Sequence, residues 1–197
     1  MEFEEIKDKL TQPQYDFFYE LKEYVELPIY FIGSILRYDY FKGYSDLDVI
    51  IFSPDIDSIK LKIKHFLNID KKDRIIFLHI NKVPISGYKF YYNDSFKGEK
   101  QIDFDLTIFK ENTKKTLIDF KKQQYNVPNL YIIYFLIIKT LHYYIGIIDK
   151  NMYSTLKDIV WNTANFGFNP IFINYDEYKN IYKKNYPNVK YMINLNL

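Results

Sequence analysis

The chain of 197 residues has no cysteine and only three histidines. The absence of cysteine excludes disulfide bonds and thiolate-ligated zinc, and so few scattered histidines disfavour an imidazole metal site. A metal ion would therefore need oxygen ligands, which suit hard cations such as Mg²⁺. A chain without cysteine is typical of a reducing compartment, and we expect a cytoplasmic protein.

Long hydrophobic runs are also missing. The longest apolar stretch, 130–138, is too short to span a bilayer and ends at Lys139. The first ten residues, MEFEEIKDKL, are acidic and lack the apolar core of a signal peptide. We therefore expect no membrane segment and no membrane partner.

A strong charge of either sign is lacking as well. The net charge of +2 disfavours binding along a long nucleic-acid track, although it permits contact with a tRNA end. Alanine occurs once, whereas tyrosine occurs 21 times and phenylalanine 17 times, a bias typical of AT-rich codons rather than of base-stacking surfaces. The composition, 48% hydrophobic and 26% charged, indicates a soluble globular chain.

Apolar periodicity predicts alternating helices and strands. Helices are expected over 14–26, 35–40, 129–148, 152–165 and from an N-cap at Ser53 to about 67, and strands over 28–32, 47–52, 74–80, 89–92 and 101–109. The order of these elements predicts an α/β (α+β) core with a mixed sheet flanked by helices. We assign residues 1–123 to this core and residues 124–197 to a helical C-terminal region with a tyrosine-rich tail.

The most informative stretch joins a Gly33-Ser34 turn to the acids Asp46 and Asp48. Glycine lets the backbone approach a ligand closely, and the serine hydroxyl with neighbouring amides can bind phosphate oxygens. Two acids one residue apart on a strand share a face and form an oxygen-ligand site for a divalent cation. A phosphate-binding turn beside a metal-binding pair indicates phosphoryl or nucleotidyl transfer.

A second acid pair, Asp103 and Asp105, alternates with apolar residues in the strand QIDFDLTIF. Both acids then share one face, and a strand next to Asp48 would bring a third carboxylate to a two-metal site. Asp55 and Asp57 have the same spacing, but on a helix their side chains diverge, and the predicted helix start already explains these acids. We therefore give that pair no metal role.

Taken together, the Gly-Ser turn, the eleven-residue gap, Ser45-Asp46-Leu47-Asp48 and the later strand acid resemble the nucleotidyltransferases of the DNA polymerase beta superfamily. The resemblance implies that Gly33 and Ser34 contact a triphosphate. It also implies that Asp46 and Asp48 bind two Mg²⁺ ions, for which Mn²⁺ can substitute. A third acid would bind the second ion and activate the acceptor hydroxyl; the pattern favours Asp105, and Asp103 stays as the alternative.

Further nucleotide contacts are implied at three positions. Arg37 falls three residues beyond the serine, where small members of that superfamily often carry arginine, and Ser45 directly precedes the acid pair. Lys139 is the only formal charge of its predicted helix, so it either meets an anion such as the triphosphate or extends to water. Lys42, in the same loop as Arg37, is a weaker phosphate candidate.

The expected function is that of an enzyme that moves a nucleoside monophosphate from an NTP to a hydroxyl and releases pyrophosphate. ATP is the expected nucleotide, and a small molecule, a protein side chain or a tRNA end would serve as acceptor. Two alternatives remain: a non-catalytic nucleotide-binding or regulatory module, and an antitoxin-type enzyme that AMP-modifies a partner protein.

Overall fold

The structure, a computed structural model, describes residues 1–70, 74–80, 83–94, 102–123 and 127–163, and these contain five α-helices and five strands. The helices are α1 (Gln12–Val25), α2 (Ile56–Phe66), α3 (Lys114–Gln123), α4 (Asn129–Thr140) and α5 (Lys150–Thr163), and the strands are β1 (Ile29–Ile32), β2 (Leu47–Ser53), β3 (Arg74–Ile80), β4 (Val83–Asp94) and β5 (Ile102–Lys110). No helix within these ranges is long and apolar enough to cross a membrane.

The strands form one mixed sheet in the order β1-β2-β5-β4-β3. β2 and β5 pair in parallel, and the remaining neighbours pair antiparallel. The last strand in sequence, β5, therefore lies at the centre of the sheet next to β2. This mixed sheet with flanking helices confirms the predicted α/β (α+β) fold class.

Each face of the sheet buries a separate core. Leu47, Val49 and Ile51 of β2 point to one face and pack in the core that includes α1 and α2. Ile50 and Phe52 point to the other face and pack in the core that includes α3. Because side chains alternate along a strand, Asp48 lies on the α3 face.

A third apolar cluster joins α4 and α5. Its buried members are Val127, Phe135, Ile138, Ile148 and Val160. The predicted boundary lies between residues 123 and 124, where a stretch outside the described ranges begins (124–126), and the predicted tail beyond 163 also lies outside them. The division into two domains therefore stays a prediction.

The predicted helix over 35–40 is wrong. A short 3₁₀ helix covers Gly33–Leu36 instead, and the backbone at Arg37 is extended, with φ −112° and ψ 171°. Beyond it the loop is held by the buried side chain of Asp39, which pairs with Arg37. A two-residue ion pair of this kind replaces the continuation of the helix.

The predicted N-cap at Ser53 is also wrong. Ser53 is the last residue of β2, and the cap of α2 is Asp55, whose carboxylate accepts a hydrogen bond from the Ser58 amide at 3.1 Å. The Ser53 hydroxyl accepts instead from the Asp55 amide, at 3.0 Å. Asp55, predicted as an acid of the first turn, is therefore the cap, and Asp57 is the acid of the first turn.

Several predicted elements have different bounds. β4 is longer than the predicted 89–92, α3 was not predicted, and the predicted helix over 129–148 is α-helical only to Thr140. A π-helical turn over Leu141–Ile145 follows and ends at Gly146, whose φ is 71°. Such turns are frequent near functional sites, because the extra residue redirects side chains that a regular helix would align.

Candidate functional site

Two carboxylates face each other across the parallel strands β2 and β5. Asp48 and Asp105 are register partners in this ladder, and adjacent strands lie about 4.8 Å apart, so the two side chains project side by side from one face. Both are partly exposed. The strand order thus brings together two of the four predicted acids.

The other two predicted acids have different surroundings. Asp46 precedes the first residue of β2 and is exposed. Asp103, two residues before Asp105 on the same face, is buried and accepts a hydrogen bond from Asn93 Nδ2 at 2.9 Å. The register therefore favours Asp105 over Asp103 as the acid that works with Asp48.

The Gly33-Ser34 turn lies directly against Asp48. Gly33 has φ +75°, and a Cβ placed on it would fall on the Asp48 carboxylate. Ile32, the residue before it, is the register partner of Asp48 on β1. The sequence needs glycine here for two reasons: a left-handed backbone and contact between main chain and carboxylate.

Gly33→Ala should destabilise the protein by about 1–3 kcal/mol through backbone strain and should also displace the Asp48 side chain. The matched control is Gly146→Ala, since Gly146 has the same backbone sign, φ +71°, and no atom within 4 Å of an added Cβ. Urea unfolding measures the first effect, and divalent-cation binding measures the second. Equal behaviour of the two variants in both assays would contradict the close packing of turn and carboxylate.

The acids are surrounded by lysines. Burial raises the pKa of Asp48, the charge of Asp105 raises it further, and Lys121, Lys157 and Lys89 oppose the rise. Lys89 forms a 2.7 Å ion pair between its Nζ and Asp105 Oδ2. The surroundings of the acids therefore combine carboxylates that repel each other with positive groups that suit an anionic ligand.

The donor set fits a hard divalent cation. Within the described ranges, no group of three or more carboxylate or imidazole side chains is gathered closely enough to hold a metal ion. Mg²⁺ is commonly held by one or two carboxylates together with water and substrate phosphates, and Asp48 with Asp105 supplies such a pair. The predicted second ion, with Asp46 as a shared ligand, stays a prediction.

Arg37 and Lys139 are held together by Asp39. Arg37 donates to both Asp39 oxygens, at 2.7 and 2.8 Å, and Lys139 Nζ lies 3.0 Å from Asp39 Oδ2 and 2.7 Å from the Asp39 carbonyl oxygen. The exposed fractions of the three side chains are 8%, 5% and 0% for Arg37, Lys139 and Asp39. We call this group the buried triad.

The buried triad bears on three predicted nucleotide contacts. Lys139 does not extend to water, and the anion it meets is a carboxylate of this chain. Ser45 is buried too, where its Oγ accepts from the Phe41 amide at 3.1 Å and from Lys139 Nζ at 3.5 Å. Contact of Arg37, Ser45 and Lys139 with a triphosphate stays a prediction and would require this loop to rearrange.

An aromatic cluster lies near Asp46. Phe41 and Tyr44 of the loop contact Tyr144 of the π-helical turn, with ring centroids 5.5 and 5.3 Å apart. Burial and the negative charge of Asp46 raise the pKa of the neighbouring Tyr143 to about 12. The sequence interpretation of the aromatic excess as codon bias alone therefore missed a local concentration of rings at the site.

Two further residues were missed by the sequence interpretation. Lys89 sits on a strand where nothing in its neighbourhood distinguished it from a solvated lysine. Asp39 lies two residues from Arg37, a spacing that could have suggested a local ion pair, but its second partner is 100 residues away. Only the folded chain brings Lys89 to Asp105 and Asp39 to Lys139.

Asp48→Asn should stabilise the protein in chelator at neutral pH. The pKa of Asp48 is raised above its ordinary value of 3.8, so the folded state holds the proton more tightly than the unfolded state does. Ionisation therefore costs stability, and this cost is absent at low pH and appears as pH rises through the folded-state pKa. The gain in melting temperature should grow between pH 4 and pH 8.

The matched control for this pH series is Asp119→Asn, at an exposed position of α3. It should change the melting temperature little at any pH in the series. Added Mn²⁺ should reduce the advantage of Asp48→Asn, because the cation stabilises only the ionised carboxylate. An advantage that is independent of pH would contradict the assigned cost of ionising Asp48.

Comparisons with known proteins give weak structural likenesses only. No family model matches the chain, and no curated protein matches it significantly. Among solved structures, the chain is similar to Cid1 poly(U) polymerase with MgGTP bound (TM-score 0.34, 18% identity, 63% of this chain and 38% of that one). It is also similar to a cytoplasmic RNA terminal U-transferase (TM-score 0.33, 17% identity, 70% and 42%).

A third such structure is Cid1 in complex with its short product ApU (TM-score 0.35, 16% identity, 66% of this chain and 40% of that one). The chain thus spans about two fifths of the length of these enzymes. At these TM-scores the likeness carries no argument about function.

Proposed function

We propose that the chain is a divalent-cation-dependent nucleotidyltransferase of the DNA polymerase beta type. It would transfer a nucleoside monophosphate from an NTP, with ATP the expected donor, to a hydroxyl acceptor. The observation that carries the proposal is the register pairing of Asp48 with Asp105, with the Gly33-Ser34 turn packed on Asp48. This arrangement sets a phosphate-binding turn beside a pair of oxygen ligands.

Each group then has a separate task. Asp48 and Asp105 would hold a Mg²⁺ or Mn²⁺ ion, with Asp46 nearby at the start of β2. When bound, this ion neutralises charge that develops on the phosphoryl oxygens. The amides of the Gly33-Ser34 turn and the Ser34 hydroxyl donate to the phosphates and orient them.

The reaction exchanges one phosphoester bond for another. The acceptor oxygen attacks the α-phosphorus as the bond to the bridging oxygen breaks, and pyrophosphate leaves with the electron pair. The acceptor proton passes to a carboxylate, and Asp105 is the candidate. β2 with Asp48 lies between β1, which ends at the Gly33-Ser34 turn, and β5, so Asp105 is separated from the turn by Asp48. Catalysis here is positioning and charge neutralisation rather than covalent chemistry.

The acceptor is a small molecule, a protein side chain or a tRNA end. A net charge of +2 supports these over a long nucleic-acid track. The aromatic cluster beside Asp46 offers apolar contact to an acceptor that carries a ring.

A non-catalytic nucleotide-binding module is the second candidate. It is favoured by the engagement of two predicted phosphate-binding cations, Arg37 and Lys139, with an internal carboxylate. Such a module would bind an NTP without turning it over, and its binding would not depend on Asp48.

A screen of the four NTPs against pools of acceptors tests the proposal. The purified full chain is incubated with Mg²⁺ or Mn²⁺, and release of pyrophosphate is measured together with a mass shift of any acceptor. Nucleotide binding is measured by calorimetry in parallel, with and without divalent cation. If nucleotide binding is the same with and without the divalent cation, and if no pyrophosphate is released, the non-catalytic module is favoured.

A further inference from the structure

Lys89 of β4 reaches diagonally across the sheet to Asp105. The register partner of Lys89 on β5 is Thr107, and that of Asp105 is Tyr91, so Lys89 and Asp105 are two positions apart on one face. Lys89 Nζ is 2.7 Å from Asp105 Oδ2, and both side chains are about one third exposed, at 31% and 32%. The ammonium group is thus an immediate neighbour of the proposed cation ligands.

This ammonium acts on both acids. It neutralises Asp105 directly, and it lies close to Asp48, the register partner of Asp105 on β2. Without a positive group, Asp48 and Asp105 would repel each other across the β2–β5 ladder. Lys89 therefore supplies, in the metal-free chain, part of the charge neutralisation that a divalent cation would supply.

A divalent cation bound by Asp48 and Asp105 is incompatible with the Lys89 ammonium in its present position. Both are positive, and both require the oxygens of the same carboxylate. Because the Lys89 side chain is flexible and partly exposed, it can leave Asp105 without disturbing the core. Exchange of one positive group for the other is therefore the expected response to metal binding.

We propose that Lys89 is a positioning residue that neutralises Asp105 in the metal-free chain and is exchanged for the divalent cation. The inference rests on the proposed function, because it takes Asp48 and Asp105 as the cation ligands. Its consequence is that Lys89 sets the cation concentration the site requires. The empty site is kept assembled, and divalent cations bind more weakly than they would to the two acids alone.

The test is direct Mn²⁺ binding to the full chain in the absence of nucleotide, followed by electron paramagnetic resonance. Lys89→Met should bind Mn²⁺ about fivefold more tightly, because binding to the unmodified chain must first break the Lys89–Asp105 ion pair, and two unit charges about 4 Å apart in water attract each other by about that factor. Lys89→Arg keeps the charge and should stay within about twofold of the unmodified chain. The matched control is Lys62→Met, on α2 at the opposite face of the sheet, where Lys62 pairs with Glu26.

The outcomes separate this inference from the proposed function. Asp105→Asn should weaken Mn²⁺ binding and so locate the ion at this site. Equal affinities of Lys89→Met and Lys62→Met would overturn the role of Lys89, as would the absence of measurable binding by any variant. Tighter binding by Lys89→Met in a chain that transfers no nucleotide would overturn the proposed function and leave the exchange at Lys89 intact.

Discussion

Asp48→Asn and Asp105→Asn should each lower nucleotidyl transfer by about 10²–10³-fold, the scale on which loss of one preorganised electrostatic group acts. Each change preserves the shape of the side chain and removes the charge that would hold the cation. Asp48 and Asp105 are register partners, so either change leaves a single carboxylate of this pair. The measurement is kcat/KM for transfer at saturating Mg²⁺, with the exposed Asp119→Asn as control.

Loss of activity in Asp48→Asn would not be explained by unfolding. Asp48→Asn is expected to be more stable than the unmodified chain at neutral pH, since ionised Asp48 costs stability. An inactive and stabilised variant therefore identifies a functional carboxylate and not a structural one. Retention of more than about a tenth of the activity in Asp48→Asn would contradict the proposed site.

Asp39→Asn should lower the free energy of unfolding by about 3–5 kcal/mol, the cost of leaving buried charges without their counterion. The Asp39 side chain is fully buried and lies between Arg37 and Lys139. The amide of asparagine is neutral and can accept through one oxygen only, so two buried cations would lose their compensating charge. Urea unfolding, with coincident transitions by two probes, measures the change.

The control is Asp57→Asn, which removes a carboxylate from an exposed ion pair. Asp57 lies 3.1 Å from Lys60 and is 75% exposed, so this change should cost no more than about 1 kcal/mol. If the two variants lost similar amounts of stability, the buried triad would contribute no more than a surface pair.

The pH dependence of the free energy of unfolding also reports on the charge interactions of Asp39. Burial raises the pKa of Asp39, but the neighbouring Arg37 and Lys139 outweigh it, and the pKa lies below its ordinary value. A lowered carboxyl pKa gives stability that is present above the unfolded-state pKa and is lost as pH falls through the folded-state pKa. The unmodified chain should therefore lose this contribution in acid, and Asp39→Asn should show a flatter profile there.

The sequence predicted the parts of the site that depend on local pattern. Alternation placed Asp103 and Asp105 on one face of a strand, and apolar residues after Asp48 placed that acid at the start of a buried strand. The strand order was not predictable in the same way, because β5 reaches β2 only after a long excursion through β3 and β4. The choice between Asp103 and Asp105 depends on that register and on nothing local.

The errors at the loop have a similar origin. Residues 35–40 have helical spacing, yet the buried charge of Asp39 outweighs that preference, and its partner Lys139 comes 100 residues later. Likewise, the apolar periodicity of 129–148 says nothing about the π-helical turn, where the rings of Tyr143 and Tyr144 meet the loop. Long-range charge and ring contacts override local propensity at these positions.

The buried triad also connects α4 to the loop that follows the Gly33-Ser34 turn. Lys139 sits on α4, Asp39 sits six residues after Gly33, and Arg37 stacks over Phe135 of α4 at 5.5 Å. A displacement of α4 relative to the sheet would pull on the loop and change how Gly33 rests on Asp48. The packing of α4 is therefore expected to influence the position of the Asp48 carboxylate, through side chains that are almost inaccessible to solvent.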